Sequence, residues 1–230
     1  MGKRTVAIIL AGGAGKRMGA DIPKQFLELA GKPIIIHTLE KFDRSADVSD
    51  IVIVCHKSGI ERLKDLIKKN NIEKVFKIVP GGTTRQESSF IGVKNCPPGT
   101  SLVLIHDAVR PFVDERIIKD VAAAAQEEGA AGAVIDEDDT VVVERDSYVL
   151  EVPDRSVLKK IQTPQGFRYD LIFAAHEKAL ENKSACFTDD CSLVIAMGEP
   201  VKLVEGAARN IKITDKEDLF LAEMLMPVEK

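Results

Sequence analysis

Paired cysteines, clustered histidines, long apolar runs and a surplus of one charge are all missing from this 230-residue chain. Its four cysteines, Cys55, Cys96, Cys186 and Cys191, form no C-x-x-C pair. That spacing argues against a disulfide framework or a dithiol redox motif and suits reduced thiols in a cytoplasmic protein. The four histidines fall in no H-E-x-x-H or related pattern, so no protein-built zinc site is recognisable. With 32 basic against 36 acidic side chains the net charge is -4. Such a balance gives no long-range field for nucleic acid or an acidic membrane, and any basic site must be local. No stretch approaches the ~18 apolar residues of a membrane span. The run from Val6 to Ala11, preceded by Lys3 and Arg4, is about half a signal-peptide core and ends in Gly12-Gly13, so it predicts a strand. Met1-Gly2 opens like a myristoylation signal, but Val6 stands where Ser or Thr is required. The expectation is a soluble, cytoplasmic protein with neither nucleic acid nor membrane as partner.

What is present is the material of a folded domain. Hydrophobic residues make up 45% and charged ones 30%, and a chain of this length buries a substantial core without staples, as a single domain over residues 1–230. Short β-branched runs at Val6–Leu10, Ile51–Cys55, Val75–Val79 and Leu102–His106 are nearly continuous in apolar character, as in strands buried on both faces. Between and after them the pattern predicts helices over Ile34–Phe42, Ser58–Asn70, Arg85–Asn95, Arg168–Asn182, Asp189–Met197 and Lys216–Leu225. Asp114 can cap another helix, ended by Gly129, and Thr214 to Glu217 reads as a capping box. This alternation predicts an α/β fold with a mainly parallel twisted sheet flanked by helices. Residues 136–155 break the rhythm. Thr140–Val143 and Tyr148–Val152, separated by a turn at Asp146-Ser147, predict a protruding β-arm with no helix to cover it. An arm of that kind suits packing on another subunit.

The first strand feeds a glycine-rich segment, Leu10 to Gly19, and such a turn aims backbone N–H groups at phosphates. It is not a Walker A loop, because Arg17 follows Gly15-Lys16 and Leu10 stands where the earlier glycine belongs. Nor is it a dinucleotide fingerprint: Met18 replaces the third glycine, and the second strand ends in Cys55-His56 without an acidic ribose ligand. Ala11, Gly12, Gly13, Gly15, Arg17 and Met18 do fit a nucleotidyltransferase loop, A-[AG]-G-x-G-x-R-M, with Pro23-Lys24-Gln25 at a suitable distance. Glycines let the main chain wrap a triphosphate while Arg17 and Lys24 supply cations.

Further segments follow in a set order: Gly81-Gly82-x-x-Arg85-x-x-Ser88, His106 to Pro111, Asp154-Arg155-Ser156, Gln162 to Gln165, Thr188-Asp189 and Asn210 to Thr214. Together with the loop they resemble the 2-C-methyl-D-erythritol 4-phosphate cytidylyltransferases, the IspD family of nucleotidyltransferases, from Val6 to about Leu225. The resemblance implies a Rossmann-like fold of the nucleotide-diphospho-sugar transferase type. It implies that Gly81, Gly82 and Ser88 read the cytosine edge, and that Asp107, Ala108 and Arg110 sit near the metal, the ribose and the second substrate. Thr140, Arg155, Thr163 and Thr188 match the polyol phosphate site, with Thr140 and Arg155 supplied by the partner subunit's arm in a homodimer. Lys212 matches the lysine that positions the acceptor phosphate. Mg²⁺ or another divalent cation is expected to bind mainly through the CTP phosphates, with Asp107 the one protein carboxylate that could touch it. Gly12, Thr83 and Asp190-Cys191 depart from the family's commoner residues.

The implied reaction is in-line attack by a phosphate monoester on the α-phosphorus of CTP, which needs no protein nucleophile or general base. Catalysis then rests on positioning and charge neutralisation by Arg17, Lys24, Arg155 and Lys212. Two alternatives share parts of the pattern. Ribitol-5-phosphate cytidylyltransferases have the loop and the His106 to Pro111 segment, but Asp154-Arg155-Ser156 and Thr188-Asp189 fit the methylerythritol enzymes better. A non-catalytic nucleotide-binding regulator would be free to lose these four cations, and all four are present.

Overall fold

The computed structural model describes residues 4–13, 22–181 and 187–226. The chain opens with β1 (Arg4–Ala11), a small hairpin of β2 (Glu28–Leu29) and β3 (Lys32–Pro33), then α1 (Ile34–Arg44) and β4 (Asp50–Cys55). Next come α2 (Ile60–Lys69), β5 (Val75–Pro80), α3 (Arg85–Lys94), β6 (Thr100–Asp107), α4 (Glu115–Glu128) and β7 (Ala130–Asp136). The arm is β8 (Val143–Arg145) and β9 (Tyr148–Glu151). After it follow β10 (Lys159–Arg168), α5 (Tyr169–Glu181), α6 (Asp190–Ala196), β11 (Lys202–Glu205) and α7 (Lys216–Leu225).

Among the described residues one seven-stranded sheet carries the molecule, in the order β11-β7-β10-β6-β1-β4-β5. β1 pairs in parallel with β4 and β6, β4 with β5, and β11 with β7, while β10 runs antiparallel to both of its neighbours. The fold is thus a mainly parallel, Rossmann-like α/β sheet. Successive strand residues point to opposite faces, and β1 displays the consequence. Ala7 and Ile9 pack with α1, α2 and α4 through Leu39, Leu63 and Ile117, whereas Val6 and Ile8 pack with α3, α5 and α6 through Phe90, Ile172 and Leu193. Both sets are fully buried, which is why these strands read as unbroken apolar runs. No helix among the described residues is long and apolar enough to cross a membrane.

Most helix boundaries follow from local chemistry. Asp114 accepts from the Ile117 N–H to start α4, and Gly129, at φ 95°, ends it with its N–H on Ala125 O. At α7 the capping box lies one residue later than the Thr214–Glu217 reading. Asp215 caps, and its reciprocal partner is Asp218, because the Asp218 carboxylate reaches back to the Asp215 N–H and also takes the Thr214 hydroxyl. The arm turns at Asp146-Ser147 as expected, with φ 55° and 68°, the two left-handed residues of a tight hairpin turn. Its first strand is Val143–Arg145, so Thr140 precedes the ladder instead of opening it. Tyr148, Val149 and Leu150 are exposed along the arm, Tyr148 at 75%.

β10 is the element that its composition conceals. Gln162, Thr163 and Gln165 interrupt any apolar pattern, yet they are 5%, 4% and 1% exposed, because each side chain is hydrogen-bonded to another part of the fold. Close packing sets a second limit on the other side of β1. A Cβ on Gly92, in α3, would lie 2.4 Å from Ile8 Cγ2 and 3.1 Å from Val54 Cγ2. In an open helix Gly→Ala gains up to about 1 kcal/mol, but overpacking a β-branched core typically costs ~1–3 kcal/mol. Gly92→Ala is therefore expected to lower the urea midpoint despite its better helix propensity. A raised midpoint would mean that α3 moves away from β1 without cost.

Candidate active site

Strand order reverses beside β1: the chain moves outward from β1 to β4 and β5, then returns to lay β6 on the other side. A crevice at the carboxyl ends of the strands is the expected ligand position at such a point. Here it is a cavity of about 400 Å³. Leu10, Ala11, Gly12 and Gly13 line it from the end of β1, and Gly82, Thr83, Thr84, Arg85 and Ser88 from the turn into α3. Asp107 and Val109 close it from β6, and Lys24, Gln25 and Lys212 from two loops distant in sequence.

Each wall is held by a specific contact. Ser88 Oγ accepts from the Gly82 N–H at 3.1 Å and donates to Thr84 O at 2.9 Å, closing the turn after β5. A Cβ on Gly81 would come within 2.9 Å of that oxygen, and one on Gly82 within 2.3 Å of the Glu87 side chain, so a side chain at either position would displace a group that now closes the turn. Gln25, 1% exposed, donates from Nε2 to Ala11 O at 2.7 Å and so pins the Pro23-Lys24-Gln25 segment to the end of β1. Lys24 Nζ then reaches Ile213 O at 3.0 Å, beside Lys212. Ile211 and Ile213 enter a small core with Leu29, Ile34, Leu219 and Ala222, and the Ile213 N–H donates to Val109 O at 2.9 Å. With buried Ile213 and partly buried Ile211 packed into this core, Lys212 between them lines the cavity.

Asp107 is the electrostatic centre. Lys212 Nζ lies 2.8 Å from its Oδ2, Arg110 Nε 3.7 Å from Oδ2, and Arg85 Nε 3.7 Å from Oδ1. Burial alone would raise its pKa, but Lys212, Arg85 and then Arg110 outweigh burial and hold the carboxyl well below the usual range. Arg85 also pairs with the fully buried Asp190 at 2.7 Å. Three cations thus gather round Asp107, with Asp190 and, farther off, Asp189 also acting on Arg85, and Lys24 lines the same cavity, so cationic side chains are placed to meet an anionic ligand. Behind Asp107, Thr163 Oγ1 accepts from its N–H at 3.1 Å and meets His106 Nδ1 at 3.1 Å. His106 Nε2 lies 3.1 Å from Arg110 O, which can only accept, so the ring carries its proton on Nε2. Burial pushes this imidazole down to about 4, and it stays neutral.

The expected residues thus divide into groups. Ala11, Gly12, Gly13, Lys24, Gly82, Ser88, Asp107 and Lys212 meet around one cavity, with Gly81 directly behind it. Ala108, Arg110 and Thr163 back the cavity without lining it. Ala108 is fully buried, its N–H on Leu10 O and its C=O accepting from Thr38, which fixes the loop after β6. Arg110 donates from Nη1 to Asn210 O at 2.7 Å and steadies the Lys212 loop. Thr188 is exposed just before α6. Arg155 and Thr140 stand apart from the cavity within the chain: Arg155 Nη1 bonds Asp138 O at 2.6 Å, in a separate concavity at the foot of the arm. Gly15 and Arg17 lie outside the described residues. Arg85, Gln25, Asn210 and Asp190 are the structural members that the residue patterns left without a role. Three of them occur inside the recognised segments, but their partners lie in other segments, 14 residues away for Gln25, 48 for Asn210 and 105 for Arg85 and Asp190.

Known proteins with this architecture point one way. The family model described as 2-C-methyl-D-erythritol 4-phosphate cytidylyltransferase (IspD) matches residues 5–227. A protein of that name from Desulforamulus reducens is 42% identical over 223 residues, covering 96% of this chain and 95% of its own. Another, from Clostridium botulinum, is 42% identical with 98% of each chain covered. Among solved structures, the 4-diphosphocytidyl-2C-methyl-D-erythritol synthase of Anaerococcus prevotii is similar with a TM-score of 0.86 at 35% identity, covering 97% of this chain and 98% of that one. The 2-C-methyl-D-erythritol 4-phosphate cytidylyltransferase of Thermus thermophilus gives 0.77 at 33%, with 95% and 96% covered.

Acid sensitivity follows from the two buried imidazoles. Burial holds His106 and His176 at about 4, against an ordinary 6.5. Between those values the unfolded chain binds more protons, so stability is full near neutrality and falls as the pH drops from 6.5 toward 4. The loss from pH 7 to pH 5 should be on the order of 2 kcal/mol per histidine. His176→Phe keeps a ring against Phe90 and cannot protonate. Urea titrations at the two pH values should show a loss smaller than wild type by about 2 kcal/mol in that variant. An unchanged loss would place the acid sensitivity elsewhere.

Proposed function

This chain belongs to the 2-C-methyl-D-erythritol 4-phosphate cytidylyltransferase family, and on that premise we propose that its cavity transfers CMP from CTP to 2-C-methyl-D-erythritol 4-phosphate and releases pyrophosphate. The observation that carries this reading is the gathering of three cations on Asp107, beside a glycine-lined strand end at the switch point of the sheet. The cytosine end of CTP lies against the tight turn of Gly81, Gly82 and Ser88, and the triphosphate extends along Gly12 and Gly13 toward Lys24. Arg17 joins Lys24 at the phosphates, and Lys212 aims the acceptor.

The acceptor phosphate is an anion at neutral pH and attacks the α-phosphorus directly. The P–O bond to pyrophosphate breaks as the new phosphoanhydride bond forms, and no proton has to be moved. A neutral, buried His106 with both ring nitrogens engaged fits chemistry that needs no general base. Fixed cations stabilise the charge that gathers in the transition state. Mg²⁺ is best carried by the triphosphate, where it would offset charge on the departing pyrophosphate. Asp107 does not suit it as a protein ligand while Lys212 holds its Oδ2 at 2.8 Å.

The acceptor end of the cavity is completed by a second copy of the chain. Exposed Tyr148, Val149 and Leu150 on the arm need a cover, and Arg155 and Thr140 at its foot lie away from their own cavity. In a homodimer formed through residues 136–155, they reach the partner's acceptor pocket near Thr188. The protein works in the cytoplasm, consistent with free Cys55, Cys96 and Cys191.

Supplying CTP with either 2-C-methyl-D-erythritol 4-phosphate or ribitol 5-phosphate, and following pyrophosphate, should give turnover with the first. Turnover with ribitol 5-phosphate alone would overturn the acceptor assignment. In the same assay Lys24→Ala and Arg17→Ala should each lose roughly 10²–10³ in kcat, with CTP binding affected far less. Near-normal turnover in both would reject the site.

Subunit complementation tests the arm. Lys24→Ala and Arg155→Ala chains, each nearly inactive alone, should recover roughly a quarter of wild-type activity when re-assembled in equal amounts. Half the dimers are then mixed, and one of the two sites in each mixed dimer is intact. No recovery in verified mixed dimers would confine Arg155 to its own subunit.

A further inference from the structure

His106 stands one residue from the end of β6 and is fully buried, yet the transfer chemistry uses it neither as an acid nor as a base. Phe42 of α1 packs on its ring, with centroids 4.9 Å apart and planes tilted by 54°. One turn earlier on the same helix, Thr38 donates to Ala108 O at 2.8 Å, so α1 supports this region at two points. Both ring nitrogens are engaged. Nε2 donates to Arg110 O at 3.1 Å, and Nδ1, left without a proton, accepts from the Thr163 hydroxyl at 3.1 Å.

These bonds stand where the sheet stops. The antiparallel ladder between β6 and β10 runs from Leu102 paired with Arg168 to Ile105 paired with Gln165. Beyond that pair the two strand ends are joined through side chains. Thr163 on β10 spends its one hydroxyl proton on His106, which leaves its oxygen to accept from the Asp107 N–H at 3.1 Å. On the other side of the ring, the bond to Arg110 O closes the turn that follows β6. Arg110 Nη1 then donates to Asn210 O at 2.7 Å, two residues before Lys212, whose ammonium meets Asp107 at 2.8 Å. The imidazole therefore sits at the junction of three segments that carry Asp107, Arg110 and Lys212. An apolar ring would fill the same space and leave both of its buried partners without these bonds.

We propose that His106 is a positioning residue for the transfer: one fixed imidazole tautomer joins β10 to the turn after β6, and so holds Asp107 and the Lys212 loop in register for the attacking phosphate. The inference rests on the cytidylyl-transfer reading of this cavity. ¹⁵N-resolved NMR of the wild-type imidazole tests the bridge without any turnover. The proton should sit on Nε2, and a proton on Nδ1 would overturn the proposal. His106→Phe keeps a ring against Phe42 and loses both bonds. In that variant kcat should fall about 10²-fold, with the Kd for CTP within about twofold of wild type, because the reacting groups are displaced while the nucleotide contacts stay. His106→Asn brings an amide oxygen near the place of Nδ1, and His106→Gln an amide nitrogen near that of Nε2, so each restores one link. Both should lie between wild type and His106→Phe in kcat. If His106→Phe does not fold, these two carry the test, each with a lowered kcat and CTP binding unchanged. Near-normal kcat in the folded variants, or amides no better than Phe, would make His106 a packing residue and overturn the proposal. Equal losses in kcat and CTP affinity would overturn it as well, by assigning the residue to the nucleotide pocket as a whole. A wild-type protein that turns over no CTP would instead reject the functional reading, with the tautomer still deciding the bridge.

Discussion

A carboxylate buried among three cations is costly to assemble and difficult to move, and Asp107 is such a group. Its position at the carboxyl end of β6 is set by the sheet, and the cations come to it from α3, from the loop after β6 and from the segment before α7. Removing the carboxylate would leave Lys212, Arg85 and Arg110 repelling one another in a half-buried space. With the carboxylate present, the three are held close and the cluster still carries net positive charge. The site is suited to an anion because Asp107 draws three cationic side chains to one wall of the cavity.

Polar side chains within the core carry much of the positioning. Gln25 fastens the Lys24 segment to β1, Gln165 fastens the start of α6, and Asn210 donates to Gln162 Oε1 and Thr163 O at 3.1 and 2.9 Å to fix the Lys212 loop. Each amide joins pieces that no secondary structure links. The apolar core supplies two well-filled layers, and these amides decide how the loops at its edge are registered against one another. Leaving such a group unpaired would cost about as much as the bond contributes, or more, so the loops have one low-energy arrangement.

Much of this could be read from residues alone, and the limits have physical causes. Strands buried on both faces announce themselves as apolar runs, and caps such as Asp114 and Gly129 act on neighbours within a turn or two. The arm's turn was legible for the same reason, since Asp146-Ser147 need only local backbone freedom. β10 was not legible as a strand, because Gln162, Thr163 and Gln165 are buried through bonds to distant partners that composition does not disclose. The glycine turn, Lys24 and Lys212 were marked by their segments. That Arg85 leans on Asp190, or that Thr163 supports Asp107 from behind, depends on contacts across 105 and 56 residues. Arg155 was expected at the acceptor site, yet within its own chain it lines another hollow.

The late insertion of β10 has a consequence for how the molecule comes into being. β7 ends at Asp136, and its only neighbours in the described sheet, β10 and β11, are both synthesised after it. A nascent chain can assemble β5-β4-β1-β6 while the other half of the sheet still lacks its central strand. Arg85 and Arg110 precede β10 in the chain, whereas Asp190 and Lys212 follow it. Wedging β10 between β6 and β7 brings in Thr163 and Gln165, then the pinned α6, and last the lysine loop. Sheet closure and the completed charge cluster thus depend on the same late segments of the chain.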